Sequence, residues 1–224
     1  MHGLEILYED NHIIAINKKC SDIVQDDKTG DKSLKDKVSE YIKIEYNKPG
    51  NVFLGVIHRI DRPVSGVVLF AKTSKALSRF NELFKNKEIQ KSYWAIVKKN
   101  PPNVKDTLIH YLTRNQKKNK STVHDREVAN SKKAILDYEL IKTTNNYYLL
   151  EIDLKTGRHH QIRAQMAKIG CPIKGDLKYG YQRSNKTGGI HLHACKISFI
   201  HPVKKEHITI NAPPPNDVLW NELV

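Results

Sequence analysis

A chain of 224 residues with 39% apolar side chains is long enough for one substantial core and has the composition of an ordinary globular domain. No apolar run approaches the roughly 18 residues needed to cross a bilayer, and the start "MHGLEILYEDNH" lacks a leader's basic and apolar regions, so a cytoplasmic protein is expected. The 38 Lys plus Arg against 24 Asp plus Glu leave a net charge of +14, which points to a polyanion as partner.

Nucleic acid ranks ahead of a membrane surface, because no long amphipathic basic helix accompanies the charge. Three cysteines, Cys20, Cys171 and Cys195, without CxxC spacing suggest reduced thiols rather than a disulfide framework or a zinc knuckle. With no Ser/Gly linker and no internal repeat, the sequence offers no place to cut, and a single domain over 1–224 is expected.

In chain order, "EILYEDNHIIAINK" alternates and is rich in β-branched residues, predicting two short strands around the polar "EDNH". "SLKDKVSEYIKIEY" carries Leu34, Val38 and Ile42 four apart, the stripe of an amphipathic helix that "NKPG" ends. "VFLGVIH" and "VVLFAK" predict strands on either side of "HRIDRPVSG", residues 58–66. In that segment one carboxylate, Asp61, stands among His58, Arg59 and Arg62 before a proline and a glycine turn the chain. "TSKALSRFNELFKNKE" predicts a helix with Ser74 as N-cap and Leu77, Phe80 and Phe84 on one face, and "KSYWAIVKK" returns to strand.

The stretch 113–133, "TRNQKKNKSTVHDREVANSKK", is basic and nearly free of large apolar residues. It suits a solvated loop or a flexible or hairpin arm that lies along phosphates, and composition does not separate the two. After it, "YYLLEIDL" places Tyr148, Leu150, Ile152 and Leu154 on one strand face. The turn Thr156-Gly157 leads into a helix lined by Ile162, Met166 and Ile169, with Gly170 at its C-terminal end. Its start gathers Arg158, His159, His160, Gln161 and Arg163 near free backbone amides, a setting that favours a phosphate or carboxylate.

"HLHAC" puts His191, His193 and Cys195 on one strand face, but without a second ligand pair histidines that pack or line a site are the better reading, and no metal is expected. There is no P-loop, GxGxxG after a strand, GxSxG elbow or HExxH, so nucleotide cofactors and metal hydrolysis have no support.

Taken together, these segments resemble the RluA-type RNA pseudouridine synthases. "HRIDRPVSGVVLFAK" is similar to their catalytic motif HRLDxxTSGxxxxAK and "KSYWAIV" to their tyrosine motif. "LKTGRHHQIRAQMAKIGCPIKGDLKYG" is similar to their arginine motif and "LHACKISFIHP" to their C-terminal strand. The match is collinear from about Leu4 to Pro213. The resemblance implies an α+β fold with a mixed, mainly antiparallel central sheet flanked by helices and loops.

It also implies a catalytic carboxylate at Asp61, an aromatic residue against the target base at Tyr93, and an arginine paired with the aspartate at Arg163. Arg59 would hold the place of the flipped nucleotide. Arg62, Arg158, His160 and Gln161 complete the expected RNA-binding set. Burial alone disfavours a charged carboxylate and opposite charge favours it, which is the part the resemblance gives Arg163. Ile60, Val64 and Gln165 depart from the family pattern, and Lys18-Lys19-Cys20 stands where NKPxG is usual.

The expected function is isomerisation of specific uridines in structured rRNA or tRNA to pseudouridine by a monomer, without metal, cofactor or membrane. The chain starts at the catalytic-domain strand, so no N-terminal S4 domain is expected. Two rivals are a catalytically silent RNA-binding or ribosome-assembly protein on the same fold, and a nucleic-acid hydrolase using His160 or His191 as acid/base.

Overall fold

The computed structural model describes residues 3–27 and 30–224, and its backbone contacts gather into two units, residues 1–89 with 194–215 and residues 90–193 with 216–224. In the first unit the opening segments form an antiparallel hairpin of β1 (Ile6–Glu9) and β2 (Ile13–Lys18). Asp10 turns the chain between them, its Oδ1 accepting from the backbone N–H groups of His12 and Ile13. β2 pairs antiparallel with β4 (Ser65–Ala71), which is buried at every position, as an interior strand covered on both faces must be.

The expected strand at 52–58 is shorter than its apolar run suggests. Only Gly55–Val56 (β3) pair, against Ala71 and Phe70 at the end of β4. β10 (Leu192–Ile200) also neighbours β4 and carries β11 (His207–Asn211) antiparallel on its other side. With β2 on one edge of β4 and β10 on the other, the chain before Asp61 keeps only the end of β4 as a partner, where the Ile57 N–H also donates to the Leu69 carbonyl.

Helix α1 (Leu34–Glu45) begins with a reciprocal capping box between Ser33 and Asp36, and buries the expected Leu34, Val38 and Ile42. They join Ile14, Ile16, Val68 and Phe70 in one apolar cluster. Helix α2 (Ser74–Lys85) is capped by Thr73 rather than Ser74: Thr73 is extended, at φ −140° and ψ 152°, and its hydroxyl accepts from the Ala76 N–H. Phe80 meets Phe199 edge-on at 5.0 Å, while Leu77 and Phe84 are half-buried.

The second unit is an antiparallel run in the order β5 (Gln90–Val97), β9 (Tyr148–Leu154), β8 (Lys132–Thr143), β6 (Lys105–Asn115) and β7 (Lys120–His124). The basic stretch 113–133 is therefore largely a β-hairpin, with 116–119 as its tip and Asn119 left-handed at φ 44°. Helix α3 (Gln161–Lys168) ends at Ile169, and Gly170 follows at φ 82°, a left-handed stop that favours glycine. Gln165 is fully buried, and its Nε2 donates to the carbonyls of Leu108 and Ala134 and meets His110 Nδ1, tying α3 to β6 and β8.

A last helix, α4 (Val218–Leu223), is capped by Asp217 and packs Trp220 and Leu223 with Ile96 and Leu149. The fold is α+β, mainly antiparallel with few helices, as expected. Among the described residues no helix is long and apolar enough to cross a membrane.

Candidate active site

The loop that carries Asp61 is held from beneath by a lysine. Lys18, at the end of β2, is 1% exposed, and its ammonium donates to the backbone carbonyls of Lys19 at 2.9 Å, Asp22 at 2.8 Å and Arg62 at 3.0 Å. Burial pushes its pKa down to about 8, while the nearby charges of Asp22 and Asp61 pull the other way. A buried cation therefore lies within electrostatic reach of the Asp61 carboxylate. The Ser21 N–H also donates to the Arg62 carbonyl, and the Asp61 carbonyl accepts from Val64 in a tight turn.

Gly66 then enters β4 at φ 115°, against the backbone of Ala194 where a Cβ would collide. His58 Nε2 accepts from the Leu69 N–H at 3.1 Å, and its ring stacks on Phe84. Asp61 is half-buried and Arg59 exposed. Arg62, also exposed, pairs with Asp31 at 2.7 Å, a surface contact that contributes little to stability.

In the second unit, Tyr93 is buried on β5, opposite Ile152 of β9. Lys91 shares its face by strand alternation and lies beside Gly157, with its amine titrating below an ordinary lysine because of burial. Arg163 on α3 is 5% exposed and forms a bidentate pair with Asp176, Nε to Oδ2 at 2.7 Å and Nη2 to Oδ1 at 2.8 Å. Its guanidinium carbon sits 5.1 Å from the centre of the Tyr179 ring.

The structure sorts the expected RNA-binding residues by exposure. Arg59, Arg62 and Arg158 reach the surface, and Arg158 Nε donates to the Lys133 carbonyl. His160 and Gln161 are buried and bond inward. Gln161 Oε1 accepts from the Thr156 hydroxyl and the Arg158 N–H, while its Nε2 donates to the Ile135 carbonyl. His160 holds a left-handed backbone at φ 52°, and its Nδ1 meets the Tyr179 hydroxyl at 2.9 Å. Burial, with the Arg163 charge beside it, lowers its pKa to about 2, so the ring is neutral. His159 stacks on it at 3.8 Å and bonds Ser121 and Asn119 of the hairpin.

His191 and His193 pack against aromatic rings, His191 on Trp220 and His193 on Trp94 and Trp220. Among the described residues no group of three or more His, Cys, Asp or Glu could hold a metal ion. Sequence reasoning missed Lys18, Asp176 and Tyr179. All three stand inside quoted motifs, but only their burial reveals their parts.

The family model described as RNA pseudouridylate synthase matches residues 12–168. The chain is 31% identical to tRNA pseudouridine synthase C of Haemophilus influenzae, over 99% of this chain and 96% of that protein. It is 34% identical to ribosomal large subunit pseudouridine synthase C of Buchnera aphidicola, over 93% of this chain and 66% of that protein. The solved structure of human RNA pseudouridylate synthase domain containing 4 shares the fold, with a TM-score of 0.80 at 22% identity over 94% of this chain and 88% of that one. A match spanning these motifs in order, at this identity and over nearly the whole chain, shows that the chain belongs to the RNA pseudouridine synthases of the RluA type, enzymes that isomerise uridine to pseudouridine.

Proposed function

We propose that the enzyme acts on particular uridines of structured ribosomal or transfer RNA, the two RNA classes in its relatives' names, with Asp61 as its catalytic carboxylate. Isomerisation breaks the N1–C1′ bond, turns the base and joins C5 to C1′, while the C5 hydrogen leaves and N1 gains a proton. Nothing is oxidised or reduced and no group comes from outside, so the chemistry asks for no metal or nucleotide cofactor. It asks for an ionised carboxylate at the sugar. The observation that carries the assignment is the Asp61 loop, fixed by Gly66 and by three carbonyl bonds to a buried ammonium in reach of that carboxylate.

In this reading Tyr93 offers its ring to the base once it leaves the stack, which offsets part of a cost of roughly a few kcal/mol. Arg163, the arginine of the family's arginine motif, is assigned to the reaction as well. Arg59 holds the place of the flipped nucleotide, Arg62 and Arg158 meet phosphates, and His160 with Gln161 shapes the turn that presents Arg158. The two units serve as one catalytic domain, working as a monomer in the cytoplasm.

Incubation with cellular RNA tritiated at uridine C5 tests the assignment. The enzyme should release tritium while leaving chains intact, and Asp61→Asn should release none. Release by Asp61→Asn at the wild-type rate would overturn the role given to Asp61.

A further inference from the structure

We propose that Tyr179 is a positioning residue for Arg163 that also ties this arginine to the basic β6–β7 hairpin. The proposal rests on the assignment of Arg163 to the reaction made above.

Tyr179 ends the single 3-10 turn Leu177–Tyr179, whose N-terminal flank is Asp176. In such a turn residues three apart lie on the same side, so one short segment presents a carboxylate and an aromatic face together. Arg163 meets both. Asp176 takes Nε and Nη2, which fixes the edge of the guanidinium, and the Tyr179 ring lies 5.1 Å from its carbon. A carboxylate alone leaves the guanidinium plane able to tilt about its bonds, whereas a ring against its face opposes the tilt.

The other end of the tyrosine belongs to the hairpin. β7 ends the strand order of its unit, and Tyr179 Oη accepts the Ser121 N–H at 2.8 Å. With that donor fixed, the hydroxyl proton points to His160 Nδ1 at 2.9 Å, on an imidazole that burial and the Arg163 charge keep neutral. Lys120 of the same strand places its ammonium 5.2 Å from the Tyr179 ring centre. Ser121 and Asn119 further bind His159, and Lys178 donates to the Asn119 carbonyl. The hairpin that carries Arg114, Lys117, Lys118 and Lys120 is thus bonded to the residue that lies against Arg163. A displacement of the hairpin by bound phosphates is felt at the guanidinium. A tyrosine that only filled space would need neither the two hydroxyl bonds nor a cation at its ring.

The test measures the single-turnover rate of pseudouridine formation and the RNA affinity separately, for Tyr179→Leu and Tyr179→Phe, each alone and combined with Arg163→Lys. Tyr179→Leu should slow the rate about thirtyfold at nearly unchanged affinity, as loss of a desolvated cation–ring contact implies. Tyr179→Phe keeps the ring and should lose about fivefold, the share of the hydroxyl bonds. Neither should slow Arg163→Lys further if the tyrosine acts through that arginine.

A full rate for Tyr179→Leu, or losses that multiply in the double variants, would overturn the proposal. Should the leucine variant fail to fold, Tyr179→Phe decides, and a wild-type rate there refutes the tie. Arg163→Lys at full rate would sink the parent assignment, whereas a slow Arg163→Lys beside a full-rate Tyr179→Leu sinks this proposal alone.

Discussion

At the scale of single residues, Lys18 shows how a charge can be structural and electrostatic at once. Its ammonium donates to three backbone carbonyls, and that of Arg62 also accepts the Ser21 N–H. Lys18→Met keeps the bulk and removes all three bonds, which should cost about 3 kcal/mol in urea unfolding. The pH dependence has a definite sign. The folded amine titrates at about 8 against an ordinary 10.5, so between those values the unfolded chain binds the extra proton and stability rises with pH. The cost of burying the charge is fully felt below about 8 and is relieved above 10.5. The stability difference between wild type and Lys18→Met should therefore widen across that window, and a flat difference would contradict the burial argument. Nothing in "INKKCSD" distinguishes Lys18 from its neighbour Lys19, because side-chain burial is decided by residues 62 and 22 folding over it.

Elements with a strong period were legible. Leu34, Val38 and Ile42 set α1 by their spacing, the two strands around Asp10 by alternation, and Gly170 the end of α3. Elements decided by pairing were not. "VFLGVIH" has the composition of a strand, yet the edge of β4 it needs is taken by β10, from more than a hundred residues further on. The same holds for the candidate site. Asp61, Tyr93 and Arg163 stand in recognisable motifs, whereas the Asp176 carboxylate that grips Arg163 is identifiable only once the turn at 170–175 brings it round. Gly66 joins the two cases: its motif marks it, and the Ala194 backbone explains it. Gly66→Ala forces a left-handed Cβ onto that backbone and should destabilise the fold by at least about 3 kcal/mol. Chemical denaturation measures this, and a loss under about 1 kcal/mol would mean that β4 and β10 separate more readily than their packing implies.

On the scale of the whole molecule, charge is the property that composition announced first. A net +14 should make RNA binding strongly dependent on salt, with affinity falling at least about a hundredfold between roughly 50 and 200 mM monovalent salt. Asp61→Asn should leave that slope unchanged, since the slope counts phosphate contacts rather than the reacting group. Filter binding across a salt series measures it, and a shallow slope would mean that base contacts rather than phosphates dominate. Composition could not show where the charge is spent. The stretch 113–133 has the composition of a solvated loop, and only the pairing of β7 with β6 and the bonds to His159 and Tyr179 separate the two.

The division of the chain bears on its birth. The first unit opens the sequence but is completed only by residues 194–215, while the second draws most of its length from the continuous span 90–193. As the polypeptide leaves the ribosome, β4 emerges long before β10, and the strand bearing Gly66 spends that interval with one edge largely bare. The part of the chain synthesised first is therefore finished late, and the nascent protein depends on holding an apolar strand in solution until its partner is made.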